Sequence, residues 1–284
     1  MGQTRGLRGS LWSRANSRVS YGTSRLKIPG PWYISGPSAQ PIIGLVTTDQ
    51  TIRQVAPQIL EDLRALDTCT VSNAIERLDI RLRNEGFTDI SVRCLSPGLP
   101  PMVGYAATGR IRTASAPTAR YWYHERMDWW EYLATIPEPR VIVLEDMDAK
   151  PGRGALFGEI HAHISRALGS IGYVTNGAVR DLPGIERTGF HLYARGVSVS
   201  HAYAHVVDFG APVEVAGLRV NPGELLHGDR HGVVSVPAAV AGQIPTVAAE
   251  LLAQEAELIQ LCRPESFSLK KLRQQIERTR HVSK

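Results

Sequence analysis

Residues 140–176, RVIVLEDMDAKPGRGALFGEIHAHISRALGSIGYVTN, contain the pattern that decides the fold. The apolar run 140–145 predicts a buried strand, residues 150–154 a turn, residues 155–168 a helix, and residues 170–176 a second strand. Such a βαβ unit pairs its two strands in parallel through a right-handed crossover. The sequence therefore predicts an α/β fold.

The pattern on either side of this unit predicts one domain between two extensions. Residues 1–44 form a basic extension that we expect to be disordered, residues 45–262 the α/β domain, and residues 263–284 a basic C-terminal helix or tail. The other predicted elements are helices at 52–66 and 67–78, strands at 91–95 and 105–113, short strands over 190–237 and a long helix over 238–261. A further helix contains Trp122, Trp129 and Trp130, and we expect these tryptophans to lie in the core or at a subunit interface.

The net charge of +5 comes mainly from the N-terminal extension. Six basic residues and no acid lie within residues 1–48, and the other 26 basic residues face 27 acids. The domain therefore lacks the excess of positive charge that binds nucleic acid, and we expect no nucleic-acid partner. No apolar run approaches the roughly 20 residues that cross a membrane, so we expect no membrane association.

The cysteines are compatible with a reducing cytoplasm. Cys69, Cys94 and Cys262 lie far apart and form no CxxC pair, which argues against a zinc knuckle or a disulfide framework. Residues 1–44 are rich in arginine and serine, as organelle transit peptides are, but they lack an apolar face at helical spacing. We expect a cytoplasmic protein, with a transit peptide at residues 1–44 as the alternative.

Three polar features follow the predicted strand ends of the βαβ unit. The glycine turn 152–158 opens the helix, where backbone N–H groups and the helix dipole favour an anion. Glu159 lies in the first turn, and Arg180-Asp181 follows the second strand. Because ligands collect at the carboxyl ends of parallel strands, these features should face one crevice. There Arg180 suits a substrate carboxylate and Asp181 a hard divalent cation.

Two other ligand hypotheses fit this sequence less well. The segment GRGALFG at 152–158 resembles a dinucleotide fingerprint, but the second strand ends in Thr-Asn-Gly at 175–177 without the acid that holds a ribose. Glu159 and His163 share a helix face, and the histidines within 227–231 share a strand face, as zinc ligands do. Neither pair has a recognisable third ligand, so polar packing is the favoured explanation.

The interval of 20 residues between Gly158-Glu159 and Arg180-Asp181 resembles the signature of the RraA-like family. That family includes the 4-hydroxy-4-methyl-2-oxoglutarate aldolases, which also decarboxylate oxaloacetate, and the proteins named regulator of ribonuclease activity A. The resemblance implies a single layered α-β-β-α domain of the swivelling β/β/α type over about residues 45–262. It also covers TVSNA at 70–74, GYAAT at 104–108, NGAVRD at 176–181, NPG at 221–223 and GDRHGVVSVP at 228–237.

The resemblance implies a role for each residue of the crevice. Backbone amides that bind the substrate carboxylate and keto group are matched by Gly158, Glu159, Ile160 and His161. Arg180 matches the catalytic arginine that binds substrate, and Asp181 matches the metal-ligating aspartate. Glu159 matches a catalytic acid that acts on the metal through water. The implied cofactor is Mg²⁺, Mn²⁺ or another divalent cation, and the implied substrate is a small 2-oxo acid.

The resemblance also implies a homotrimer or hexamer with the active site at the subunit interface. There an acid of the late helix, Glu255 or Glu257, enters the neighbouring site. One position departs from many catalytic members, in which an acid follows the Arg-Asp pair after two intervening residues. This chain has Gly184 there, and its nearest acid is Glu186.

Three functions therefore remain open from the sequence. The leading hypothesis is a class II, metal-dependent lyase that cleaves 4-hydroxy-2-oxo acids or decarboxylates oxaloacetate to give pyruvate. The second is a non-catalytic regulator that binds a ribonuclease or another protein. The third is a related lyase or isomerase acting on a different carboxylic acid, which the glycine at position 184 keeps open.

Overall fold

The computed structural model describes residues 52–117, 126–265 and 267–282. The predicted extension at 1–44 and Trp122 lie outside the described residues. The helices are α1 Pro57–Arg64, α2 Thr68–Arg77, α3 Met127–Thr135, α4 Glu159–Ala167, α5 Leu182–Glu186, α6 Ile244–Leu261 and α7 Leu269–Val282. The strands are β1 Arg93–Cys94, β2 Met102–Arg112, β3 Arg140–Asp146, β4 Ala155–Phe157, β5 Ser170–Val179, β6 His191–Val197, β7 His205–Phe209, β8 Val213–Val215, β9 Leu218–Val220, β10 Leu225–Asp229 and β11 Gly232–Val236.

A nine-stranded mixed sheet forms the centre of the domain, with the strand path β1-β6-β5-β3-β2-β10-β11. Strands β2, β3, β5 and β6 run parallel, and β1, β7, β10 and β11 pair antiparallel at their margins. The βαβ unit predicted from residues 140–176 is present as β3, α4 and β5. The α/β class is therefore confirmed.

Both faces of the parallel strands are covered, which explains their continuous apolar sequences. Strand β2 is buried over its first eight residues. One face packs against the helices in a cluster that contains Tyr105, Trp129 and Leu133, and the other packs against the β8–β9 hairpin through Val213 and Val220. Trp129 and Trp130 of α3 therefore belong to the core, which is one of the two locations predicted for them.

The predicted helix over residues 155–168 is wrong at its start. Ala155–Phe157 form the strand β4, which pairs in parallel with the far end of β5, and the helix begins at Glu159. All three β4 side chains are apolar and buried. An apolar run this short fits a buried strand and a helical turn equally well, so the sequence does not distinguish the two. The glycine turn at 152–154 consequently leads into β4, and Gly158 alone precedes the helix.

The histidine-containing strand β10 has a structural role. His227 is fully buried, and its ring nitrogens lie 3.0 Å from the Leu63 carbonyl oxygen and 3.0 Å from Thr68 Oγ1. Asp229 accepts a hydrogen bond from the Thr68 amide at 3.0 Å. These contacts connect β10 to the junction of α1 and α2, so polar packing accounts for His227 and Asp229. Among the described helices, none has the length and apolar character of a membrane span.

Candidate active site

The structure brings the Gly158 segment and the Arg180-Asp181 segment together at the carboxyl ends of β4 and β5. The Arg180 amide donates to the Phe157 carbonyl oxygen at 3.0 Å, and the Glu159 amide approaches Asp181 Oδ2 at 3.4 Å. The β4–β5 pairing, with Phe157 opposite Val179, sets this register. The two segments that strand order predicts to lie together are therefore in hydrogen-bonding contact.

Asp181 adopts a backbone conformation that non-glycine residues seldom use. Its φ of 55° and ψ of 37° lie in the left-handed region, where aspartate is tolerated better than most side chains. The turn begins α5, and the Asp181 carbonyl oxygen accepts the amides of Gly184 at 2.9 Å and Ile185 at 3.1 Å. Ile185 is fully buried, so it anchors the helix that holds Asp181 in place. Strain of this kind is characteristic of functional sites.

The carboxylate of Asp181 is accessible and already has positive partners. Arg180 Nε donates to Asp181 Oδ1 at 3.1 Å, and 38% of the Asp181 side chain is exposed. The neighbouring Gly158 provides the space for this carboxylate, because a Cβ at Gly158 would lie 2.5 Å from Asp181 Oδ2. Gly158 has φ −142° and ψ −166°, an extended conformation open to any residue. Close approach of Asp181 therefore explains the glycine.

The first turn of α4 presents its amide end to the same crevice. The Ala162 amide is bonded to the Gly158 carbonyl oxygen at 3.0 Å, which leaves the earlier amides at the helix N-terminus directed outward. Ile160 is exposed, whereas the His161 ring is buried, 5.5 Å from the Trp130 ring and 6.0 Å from the Phe157 ring, centroid to centroid. The His161 side chain therefore packs in the core.

Glu159 crosses from α4 to α5. Its Oε1 accepts a hydrogen bond from Arg187 Nη2 at 2.9 Å, and 41% of its side chain is exposed. Its carboxylate lies against Gly184, where a Cβ would be 2.4 Å from Glu159 Cδ. Gly184, which stands where many catalytic members have an acid, is thus in contact with the Glu159 carboxylate. Sequence reasoning missed Arg187, whose only signal is its position three residues after Gly184.

The donor set at this crevice fits a hydrated divalent cation. Asp181 offers an exposed carboxylate in a cradle that a Cβ at Gly158 would fill, and Glu159, whose amide approaches Asp181, carries a second carboxylate that lies against Gly184. Within the described parts of the chain, no group of three or more His, Cys, Asp or Glu side chains is arranged to enclose a metal. Two carboxylates and several waters are nevertheless the usual ligands of Mg²⁺, which does not require a closed protein cage.

A buried acid holds the glycine turn before β4. Asp146, at the end of β3, is 2% exposed, and its Oδ2 accepts the Gly152 amide at 2.8 Å. Burial raises the pKa of the Asp146 carboxyl above its ordinary value, although hydrogen bonds from Gly152 and Asp148 oppose the shift. Asn176 Oδ1 accepts the Asp146 amide at 2.7 Å. These contacts hold the glycine turn in place, so Asp146 has a structural role that sequence reasoning did not identify.

Two cavities in the described part of the chain are lined by residues other than Glu159, Arg180 and Asp181. One, of about 390 Å³, lies at the amino ends of β3 and β5 beside Arg64 and Arg166. The other, of about 410 Å³, lies between the β1–β2 loop and α5. Geometry and chemistry rather than cavity size therefore identify the candidate site. Of the two late-helix acids, Glu255 is exposed and Glu257 accepts a hydrogen bond from Gln275 at 2.7 Å.

A comparison with protein families assigns this architecture. The family model RraA-like, described as Aldolase/RraA, matches residues 68–235. The chain belongs to the RraA-like family. The matched segment contains Gly158, Glu159, Arg180, Asp181 and Gly184. The α/β domain, with its mixed sheet and flanking helices, has the RraA-like fold that the sequence predicted.

Individual RraA-like relatives are distant. Protein DlpA of Legionella pneumophila is 24% identical over 186 residues, which cover 64% of this chain and 28% of that protein. A Halalkalibacterium halodurans protein, provisionally named 4-hydroxy-4-methyl-2-oxoglutarate aldolase, is 27% identical over 84 residues, 29% of this chain and 40% of that protein. The crystal structure of Streptomyces coelicolor RraAS2 covers 74% of this chain and 99% of its own, with 19% identity and a TM-score of 0.56. The chain thus spans less than half of either curated relative.

Proposed function

We propose that this RraA-like protein is a divalent-metal-dependent lyase that cleaves 4-hydroxy-2-oxo acids or decarboxylates oxaloacetate to release pyruvate. The observation that carries the proposal is the contact between Asp181 and the N-terminus of α4, with the Arg180 guanidinium on the same carboxylate. An oxygen ligand for a cation, a guanidinium for a carboxylate and a helix N-terminus for an oxyanion then share one crevice.

Each group has a definite task in this proposal. Asp181, with Glu159 beside it, would hold the cation, which supplies Lewis-acid stabilisation of negative charge on the substrate's keto oxygen. Arg180 exchanges its contact with Asp181 for the substrate carboxylate, which it binds through parallel hydrogen bonds. The first amides of α4 orient that carboxylate and the keto group. Glu159 orients a water that carries the proton to or from the substrate carbon.

The same proposal includes a homotrimer or hexamer whose subunits meet at the crevice. The helix α6 is mostly exposed although it is 18 residues long, and Ile259 on it is 68% exposed. The loop after β6 adds Val199, which is 96% exposed, close to the strand β4 that precedes Gly158. Apolar surface of this kind supports a subunit contact. Glu255 or Glu257 of α6 then supplies an acid to the neighbouring site.

The test is pyruvate release from oxaloacetate and a panel of 4-hydroxy-2-oxo acids, with Mg²⁺ or with EDTA. We expect turnover that EDTA abolishes and Mg²⁺ restores. Asp181→Ala removes the carboxylate that would hold the cation, and we expect it to abolish metal dependence and nearly all turnover. Full oxaloacetate decarboxylation by Asp181→Ala would overturn the assignment of Asp181.

Two alternatives have support of their own. RraAS2, which shares the fold, is described as an unusual member of the RNase ES inhibitor RraA family, so a regulator that binds a protein partner is one. The other is a related lyase or isomerase on a different carboxylic acid, because Gly184 removes an acid from the crevice. Absence of metal-dependent product across the panel would favour these alternatives over the lyase.

A further inference from the structure

The carboxylate of Glu159 has two contacts, one with Gly184 in α5 and one with Arg187, the C-cap residue that follows α5. Arg187 Nη2 donates to Oε1 at 2.9 Å, and Gly184 leaves the space that Oε2 and Cδ occupy. Residues three apart on a helix lie on the same side, so Gly184 and Arg187 face Glu159 together. This face is fixed in the fold, because Ile185 is fully buried and Thr188 Oγ1 donates to the Ile185 carbonyl oxygen at 2.6 Å.

Gly184 has no evident reason to be glycine other than the position of Glu159. Its φ lies outside the left-handed region, and a glycine inside a helix is less favourable than alanine. The three heavy atoms nearest to a Cβ at this position all belong to Glu159, at 2.4 Å for Cδ, 2.5 Å for Oε2 and 2.8 Å for Cγ. An alanine would therefore displace the end of this flexible side chain without disturbing the backbone.

The ion pair between Arg187 and Glu159 orients the Glu159 carboxylate but adds little to the stability of the fold. Arg187 is 68% exposed and Glu159 41% exposed, and ion pairs this open to water add little to the free energy of folding. Arg180 bonds to Asp181 and Arg187 to Glu159, so each acid of the crevice has its own guanidinium. Asp181 and Glu159 are thereby hydrogen-bonded to two different arginines.

We propose that Arg187 and Gly184 are positioning residues that together fix the Glu159 carboxylate beside the Asp181 crevice, Arg187 by its hydrogen bond and Gly184 by the space it leaves. The inference rests on the proposed lyase function for its catalytic consequence, because Glu159 is the group that orients water there. The docking of Glu159 itself is a property of the chain without metal or substrate.

The first experiment measures docking without activity. In the full chain we compare the melting temperatures of the wild type, Gly184→Ala, Glu159→Ala and the double variant. Removal of a helical glycine raises the melting temperature, and we expect a larger rise in the Glu159→Ala background, where no carboxylate has to move. Equal rises in both backgrounds would show that Gly184 and Glu159 are not coupled, and would overturn the proposal that the space at Gly184 fixes Glu159.

The second experiment measures the catalytic consequence. We expect Arg187→Gln to lower kcat about tenfold with KM within a factor of two, Arg187→Lys to restore part of the loss, and Arg187→Gln to have no further effect in a Glu159→Gln background. Arg219→Gln, an exposed arginine on β9, is the matched control. An equal loss in both backgrounds, or none in the wild type, contradicts positioning. If the wild type releases no pyruvate from any substrate, the lyase proposal fails while the melting comparison still decides the docking.

Discussion

Replacement of Gly158 by alanine tests the geometry of the crevice with one methyl group. The backbone at Gly158 is extended and accepts alanine without strain. The new Cβ would lie 2.5 Å from Asp181 Oδ2 and 3.2 Å from Arg180 Cγ. Since an ordinary contact begins near 3.4 Å, the carboxylate must retreat by about 0.9 Å. A displacement of about 1 Å at a catalytic group lowers turnover by up to roughly 10²-fold.

The effect on stability should be much smaller. Alanine is a poorer residue than glycine at a helix N-cap, and the expected loss is about 1 kcal/mol, or about 2–4 °C in melting temperature for a domain of this size. The assays are pyruvate release with Mg²⁺ and Mn²⁺ affinity by electron paramagnetic resonance. Gly98→Ala is the matched control, since no atom lies within 4 Å of its Cβ position. If Gly158→Ala keeps wild-type turnover and Mn²⁺ affinity, then Asp181 is not the metal ligand that we infer.

Three further predictions concern stability and assembly. Gly154→Ala places a Cβ 2.3 Å from the His201 carbonyl oxygen, a backbone atom that cannot move aside, so denaturant unfolding should show a loss of about 2 kcal/mol. Burial, with the charges of Arg166 and Arg64, lowers the pKa of His191 to about 4. The unfolded chain then binds the extra proton, so stability falls by about 3 kcal/mol as the pH drops from about 6.5 to 4, and His191→Gln should remove that component from pH-dependent unfolding curves. Ile259→Glu on α6 should dissociate the assembly in analytical ultracentrifugation and lower turnover, whereas an unchanged mass would contradict the proposed interface.

The sequence predicts those parts of the fold in which side-chain periodicity and burial agree. Strands β3 and β5 are buried on both faces, and their apolar runs are long enough to indicate strands. The strand β4 has only three residues, and its pairing depends on β5 continuing past Asn176, which local sequence does not encode. The sequence therefore places the start of the helix four residues too early, at Ala155 instead of Glu159, and places the turn with Gly152 and Gly154 directly before the helix instead of before β4.

The crevice was predictable where the order of strands determines position. The sequence places the glycine turn after β3 and Arg180-Asp181 after β5. In the structure Gly158 instead follows β4, which is also a parallel neighbour of β5, so the two segments still meet at one edge of the sheet. The contact of Gly184 with Glu159 was not predictable, because it depends on the angle at which the short helix α5 leaves the left-handed Asp181. From sequence, Gly184 is a missing acid. In the structure its space is occupied by the carboxylate of Glu159.

The exposure of these groups bears on how the crevice would work. Asp181 and Glu159 are 38% and 41% exposed in the single chain, so water weakens their interactions with Arg180 and Arg187. Asp181 is paired with Arg180, so in the proposed mechanism a divalent cation would bind Asp181 best once the substrate carboxylate takes Arg180 over, while Arg187 keeps Glu159 in place. Excluding water would strengthen this exchange, and the exposed apolar side chains of Val199 and Ile259 offer surface for contact with another subunit. In the proposed mechanism, assembly would raise turnover by excluding water from a crevice in which the single chain already holds Asp181 beside the N-terminus of α4.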